Sequence, residues 1–119
     1  MEYQFQTKFV AIGESALDAL EDDMMILFNE QAPEAVREYC FIHSHSELKG
    51  EITEDTTVMI GEQAYVVTAV GAVVNQNLAE LGHITLKFDG QRTPELPGTV
   101  HLLGPKLKVP ECGDNLIFG

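Results

Sequence analysis

Of the 119 residues of this chain, 19 are acidic and 7 are basic, which gives a formal net charge of −12 and an isoelectric point near 4.5. With so few basic residues the chain lacks the basic patch that binds nucleic acid phosphates or anionic lipids, so we expect no nucleic acid partner and no membrane insertion. A hydrophobic content of 45% is enough for a core, and the length is typical of one domain, residues 1–119.

Targeting signals and disulfides are also not expected. No basic leader precedes an apolar stretch, and no apolar run reaches the roughly 18 residues that a membrane span needs. Two cysteines, Cys40 and Cys112, are too few for a disulfide framework and lack the paired spacing of a zinc site. We therefore expect a cytoplasmic protein with reduced thiols.

The first half of the chain predicts strands with short helical insertions. Apolar and polar residues alternate over 3–9, which predicts a strand that continues to Ile12 and ends at Gly13. Residues 14–21 fit a short helix with Ser15 as candidate N-cap, and 24–28 fit a buried strand or a helix end. Residues 34–38, behind Pro33, fit one helical turn.

The second half predicts further short strands, and the whole pattern predicts a barrel. Strands are expected at 39–45, 56–60, 64–70, 83–88, 99–103 and 115–118, with a short helical connection over 75–81. Glycine and proline turns divide these segments at intervals near ten residues. The predicted fold class is therefore all-β: a small closed or partly closed antiparallel β-barrel with one or two short helices.

The acidic residues are concentrated in the first half of the chain. Residues 1–60 contain 13 acids and 3 bases, whereas 61–119 contain 6 acids and 4 bases. Within 14–38 eight acids accompany a single base, Arg37. This segment is either a solvated surface or a docking face for a basic partner.

Histidines are the main candidates for chemistry. His43 and His45 are two apart, so on a strand they share a face, and Lys49 is the only base between Arg37 and Lys87. This arrangement fits a nucleophilic histidine or a metal site, and also two structural strand histidines. His83 and His101 each lie beside a glycine turn, so all these segments could converge at one barrel mouth.

A metal-dependent enzyme is one alternative. His43 and His45, followed by Pro97, Gly98 and His101, resemble the two halves of the cupin metal site. However, Glu47 follows His45 too closely, and the glycine that cupins place before the histidine pair is absent. Another alternative is a non-catalytic module that binds a regulator through the acidic segment.

A longer resemblance begins at residues 39–50, YCFIHSHSELKG. This segment is similar to the enzyme IIA component of the glucitol/sorbitol-specific phosphotransferase system. The similarity includes residues 12–20, 67–71, 77–90, 97–101 and 104–105, in order along almost the whole chain. It departs at Ser44, where a relative has cysteine, and a strand would turn this side chain away from His43.

The resemblance implies a phosphoryl carrier. In that family a histidine at the position of His43 accepts a phosphoryl group from the phosphocarrier protein HPr and passes it to the sugar-specific IIB domain, without a cofactor or metal. From the neighbouring residues we expect His45, Lys49 and His101 to stabilise the phosphoryl group. The acids of residues 14–38 would complement the basic surface of HPr.

Overall fold

The computed structural model describes residues 3–44 and 46–119, which contain eight strands and three short helices. The strands are β1 (Phe5–Ile12), β2 (Met24–Asn29), β3 (Phe41–His43), β4 (Thr57–Ile60), β5 (Gln63–Val70), β6 (Ile84–Lys87), β7 (Thr99–Leu103) and β8 (Asn115–Phe118). The helices are α1 (Ala16–Leu20), α2 (Glu34–Arg37) and α3 (Val74–Leu81). The segment 24–28 is therefore a strand, and within the described part of the predicted strand 39–45, residues 39–44, the regular strand is Phe41–His43.

The strands close into a barrel in the order β1-β3-β2-β6-β7-β5-β4-β8, so the predicted barrel is confirmed. Six of the pairings are antiparallel, while β2 with β3 and β6 with β7 are parallel. A parallel pair needs a long crossover, and the connections over 30–40 and 88–98 supply it. The sequence predicted an antiparallel barrel, whereas the barrel contains both antiparallel and parallel pairs. The alternation of side chains along a strand does not show the direction of its neighbour.

Side chains that alternate along the strands fill the barrel interior. On β1 the residues Phe5, Thr7 and Phe9 are buried while the residues between them are exposed. Phe5 and Phe9 join a core to which every strand contributes. A smaller apolar cluster, Phe28, Ala32, Cys40 and Ile42, packs separately around β2, β3 and their connection. Among the described helices, none is long and apolar enough to cross a membrane.

Candidate phosphoryl-acceptor site at one end of the barrel

His43 is the last residue of β3, and its neighbours in the barrel wall fix its position. It pairs with Phe9 on β1 and with Asn29 at the end of β2. Since Phe41 belongs to the main core, strand alternation turns His43 to the barrel interior as well. The side chain is 0% exposed, and the Phe5 ring meets it edge-on at a centroid distance of 5.7 Å.

Each ring nitrogen of His43 faces a backbone carbonyl oxygen. Nε2 lies 2.8 Å from the oxygen of Gly82, and Nδ1 lies 3.0 Å from the oxygen of Ser44. A carbonyl oxygen can only accept a hydrogen bond, and a neutral imidazole carries only one N–H. The neutral ring, which is the nucleophilic form, can therefore satisfy only one of these two carbonyls.

Gly82 must be glycine for the ring to lie where it does. It follows α3 as a left-handed C-cap with φ of 60°. A Cβ atom there would lie 2.5 Å from Cε1 and 2.8 Å from Nε2 of His43. The left-handed cap also favours a residue without a side chain. The left-handed backbone and the close contact with His43 thus both require glycine at position 82.

Ser44 is held on the other side of the ring by β1. Its N–H donates to the carbonyl oxygen of Lys8 at 2.9 Å. The Thr7 hydroxyl donates to the Ser44 carbonyl oxygen, and the Lys8 N–H donates to the Ser44 hydroxyl at 3.3 Å. The Ser44 carbonyl that faces Nδ1 is therefore fixed to a strand of the barrel wall.

The predicted supporting base, Lys49, lies further along β1. Its N–H donates to the carbonyl oxygen of Gln4 at 2.7 Å, whereas Ser44 bonds to Lys8. Gln4 and Lys8, the residues that make these two contacts, are four positions apart, which is roughly 13 Å along an extended strand. The exposed Lys49 side chain lines an open cleft of about 420 Å³ that Phe5 also lines. His45, the other predicted neighbour, lies outside the described residues.

Lys8 is a basic residue beside the site that sequence reasoning missed. It is exposed on β1, and its backbone exchanges hydrogen bonds with Ser44. The missed signal is the strand pattern of residues 3–9, which marks Lys8 as outward-facing. The pattern alone does not show that Lys8 lies next to residues 43 and 44, because that depends on how β1 pairs.

His101 lies at the opposite end of β2 from His43. It pairs with Lys87 on β6, which pairs with Met24 at the start of β2, whereas His43 pairs with Asn29 at its end. The five steps from Met24 to Asn29, at about 3.3 Å each, separate these levels by roughly 16 Å. The structure therefore does not bring His101 to His43.

The described partner of the buried His101 is Asp89. Its Nδ1 lies 2.8 Å from Oδ1 of Asp89, and its buried Nε2 has no partner among the described residues. Burial by itself raises the pKa of Asp89, but the His101 hydrogen bond, the Gln91 N–H, and the charges of His101 and Lys87 together lower it. This pair fixes the segment after β6 to the barrel wall.

His83, next to Gly82, lies close to the His43 site. Its Nδ1–H donates to the carbonyl oxygen of Leu27 at 3.0 Å. Its ring stacks on Phe28 with a centroid distance of 4.4 Å and an interplanar angle of 23°. Two of the predicted histidine segments thus meet at this barrel end, because Gly82 contacts His43 and His83 contacts β2.

No group of three metal-ligating side chains occurs in the part of the chain that the structure describes. The cupin alternative needs His43 and His101 in one coordination sphere. Their placement at opposite ends of β2 does not provide it. The described geometry at His43 instead consists of a fixed imidazole and backbone carbonyls.

Comparisons with known proteins agree with this barrel. The fold is that of a phosphotransferase-system IIA component: a crystal structure of a PTS system IIA component from Enterococcus faecalis V583 aligns with a TM-score of 0.85 at 30% identity, over 93% of this chain and 96% of that one. Residues 4–117 match the family model of the PTS system glucitol/sorbitol-specific IIA component.

Close relatives narrow the class further. The glucitol/sorbitol-specific EIIA components of Escherichia coli (strain K12) and Shigella flexneri are each 54% identical over 101 residues, which is 85% of this chain and 82% of each relative. The chain therefore belongs to the glucitol/sorbitol-specific IIA family of the phosphotransferase system. The family resemblance that the sequence indicated is confirmed.

Proposed function

We propose that this chain carries a phosphoryl group on His43, which it accepts from HPr and passes to the glucitol/sorbitol-specific IIB domain. The observation that carries the proposal is the fixed position of the His43 ring at the barrel end, between Phe5 and two backbone carbonyls. Phosphoryl transfer between two histidines depends chiefly on positioning, and a ring held on three sides supplies it.

The proposed nucleophile is Nε2. Ser44 is fixed to β1, so its carbonyl is the more permanent partner and selects the neutral tautomer with the proton on Nδ1. The Nε2 lone pair then attacks phosphorus while the bond from phosphorus to the donor's imidazole nitrogen breaks. The donor leaves with that electron pair. The second transfer repeats this exchange, with a IIB side chain as the nucleophile.

Charge makes this transfer demanding, because the phosphoryl group adds close to two negative charges to an acidic chain. Lys49 lines the cleft that Phe5 also lines, whereas Lys8 bonds to Ser44 through its backbone and turns its side chain to the outer face of β1. His45 remains a predicted contributor. The location of His101 gives it a structural role at Asp89 instead.

One incubation tests the proposal. The chain is mixed with HPr, enzyme I and phosphoenolpyruvate, and the tryptic peptide 38–49 is then analysed by tandem mass spectrometry. We expect one acid-labile, base-stable phosphoryl group on His43. Heteronuclear NMR should show that it is attached at Nε2. Phosphorylation of another residue in place of His43 would overturn the proposal.

Variants of the buried histidine need a folding control. His43→Gln keeps a polar side chain at the position, whereas His43→Ala leaves a cavity next to Phe5. We expect neither variant to become phosphorylated, although both retain the strand circular dichroism of the wild type. A phosphorylated His43→Gln protein would contradict the assignment even if His43→Ala failed to fold.

A further inference from the structure

The described conformation leaves no path for phosphorus to reach Nε2 of His43. The side chain is 0% exposed, and the Gly82 carbonyl oxygen lies 2.8 Å from Nε2. Attack requires the phosphorus atom to approach along the lone pair of that nitrogen, in the space that this oxygen fills. The neutral, attacking form of the ring therefore requires the Gly82 carbonyl to move.

The corner that carries this carbonyl contacts β2 through the His83 side chain, while its backbone N–H groups bond back to α3. Gly82 and His83 connect α3 to β6, and the His83 ring reaches across to β2. There it stacks on Phe28 and donates to the Leu27 carbonyl oxygen. Both contacts hold the corner against the strand whose last residue, Asn29, pairs with His43.

We propose that the Gly82–His83 corner is a gate over His43, and that His83 is the positioning residue that holds it closed. Opening withdraws the Gly82 carbonyl from Nε2 and separates His83 from Phe28 and Leu27. The donor's phosphoryl group then enters, and closure behind it is impossible while phosphorus occupies Nε2. This gate refines the function proposed above, because it assigns the step that exposes the acceptor nitrogen.

Access to His43 can be measured without any phosphotransfer partner. Diethyl pyrocarbonate transfers its ethoxycarbonyl group to the lone pair of a neutral imidazole nitrogen and releases ethanol and carbon dioxide. Tandem mass spectrometry of peptide 38–49 reports modification of His43 separately from that of His45. Because the reagent reacts only with the open form, the rate follows the open population.

Removal of the closing contacts should raise this rate. We expect His83→Ala to increase modification of His43 by about 5- to 30-fold, the effect of losing one hydrogen bond and one aromatic stack. His83→Phe keeps a ring on Phe28 and Phe28→Leu keeps the donor to Leu27, so each should give a smaller increase. Rates are compared at a pH high enough that they no longer change with pH, which removes effects of altered protonation.

Leu81→Ala is the matched control. Leu81 is an exposed residue next to Gly82, and its truncation leaves both His83 contacts in place. We expect wild-type rates for this variant. Equal rates in wild type, His83→Ala and Leu81→Ala would overturn the gate, as would equal acceleration by the two alanine variants.

The gate and the proposed function fail in different ways. Faster modification of His83→Ala, combined with no phosphorylation of the wild type by HPr, would support the gate and refute the phosphoryl carrier. Phosphorylation of the wild type by HPr, combined with equal modification rates in wild type and His83→Ala, would support the phosphoryl carrier and refute the gate. His83→Phe and Phe28→Leu keep the test decisive if His83→Ala is unfolded by circular dichroism.

Discussion

At the scale of single residues, Gly82 controls the geometry of His43 more directly than any charged neighbour described. We expect Gly82→Ala to lower the rate of phosphorylation by HPr at least roughly tenfold, because the new methyl group overlaps Cε1 and Nε2 and displaces the ring from the position that Phe5 and Ser44 give it. The left-handed conformation also costs alanine about 1–2 kcal/mol of stability. Stopped-flow phosphorylation and urea denaturation measure the two effects separately.

Gly113→Ala separates backbone strain from contact with the histidine. Gly113 has φ of 97°, and a Cβ atom there meets nothing within 4 Å. We expect Gly113→Ala to lose stability through backbone strain alone and to keep the wild-type rate of phosphorylation. Equal losses of phosphorylation in both variants would mean that strain, and not contact with His43, explains the effect.

Asp89 and His101 allow a prediction about stability alone. We expect Asp89→Asn to lower the free energy of unfolding at pH 7 by about 1–2 kcal/mol, because it removes a charge-assisted hydrogen bond from a mostly buried pair. Phosphorylation of His43 should be unchanged, since the pair lies at the other end of β2. A large loss of phosphorylation in Asp89→Asn would indicate that His101 supports the reaction at His43 after all.

The pH dependence of this effect follows from the lowered pKa of Asp89. A carboxyl group whose pKa is lower in the folded state stabilises that state above its unfolded pKa, near 3.9, and loses the contribution as the pH falls through the folded value. The stability difference between wild type and Asp89→Asn should therefore shrink as the pH falls from about 5 toward 3. Urea denaturation across this range measures it.

At the scale of elements, the three-residue strand β3 positions His43 and depends on packing at its outer face. Ile42 is buried there with Phe28, Ala32 and Cys40. We expect Ile42→Ala to cost about 2–4 kcal/mol, because a buried isoleucine is replaced by a cavity. Val66→Ala, on a residue 51% exposed, should change stability by less than about 0.5 kcal/mol. Similar losses in both would contradict the separate cluster.

The limits of prediction from sequence also appear at this scale. The strands and the barrel follow from alternation and turn spacing, which are local properties, and the family resemblance indicated His43. Proximity of Lys8 and Gly82 to His43 depends on pairings between segments about 35 to 40 residues apart. The relative direction of two paired strands also depends on contacts between distant segments. The sequence therefore could not show that β2 and β3 are parallel. The sequence also placed His101 near His43, because two glycine turns do not reveal opposite barrel ends.

At the scale of the whole molecule, two groups of acidic residues lie toward opposite ends of β2. The far group lies between the end of β1 and the start of β2, at the level of Met24, and contains Glu14, Asp18, Glu21, Asp22 and Asp23. The other group lies toward the end of the barrel that holds His43: Glu30 follows Asn29, Glu80 lies two residues before Gly82, and Glu47 lines the same cleft as Lys49. The docking face expected from residues 14–38 thus consists mostly of residues distant from His43.

This division predicts which charges steer the donor. Screening limits exposed charges to about 10 Å at 0.1 M salt, and the far group lies more than that from His43. Neutralising Glu30, Glu47 and Glu80 should therefore lower the association rate with HPr by roughly 3- to 10-fold at that salt concentration, and the effect should fade at higher salt. Neutralising the five far acids, although it removes more charge, should change the rate less than about twofold. Stopped-flow measurements over a salt series distinguish the alternatives, because a larger effect of the far group would restore residues 14–23 as the docking face.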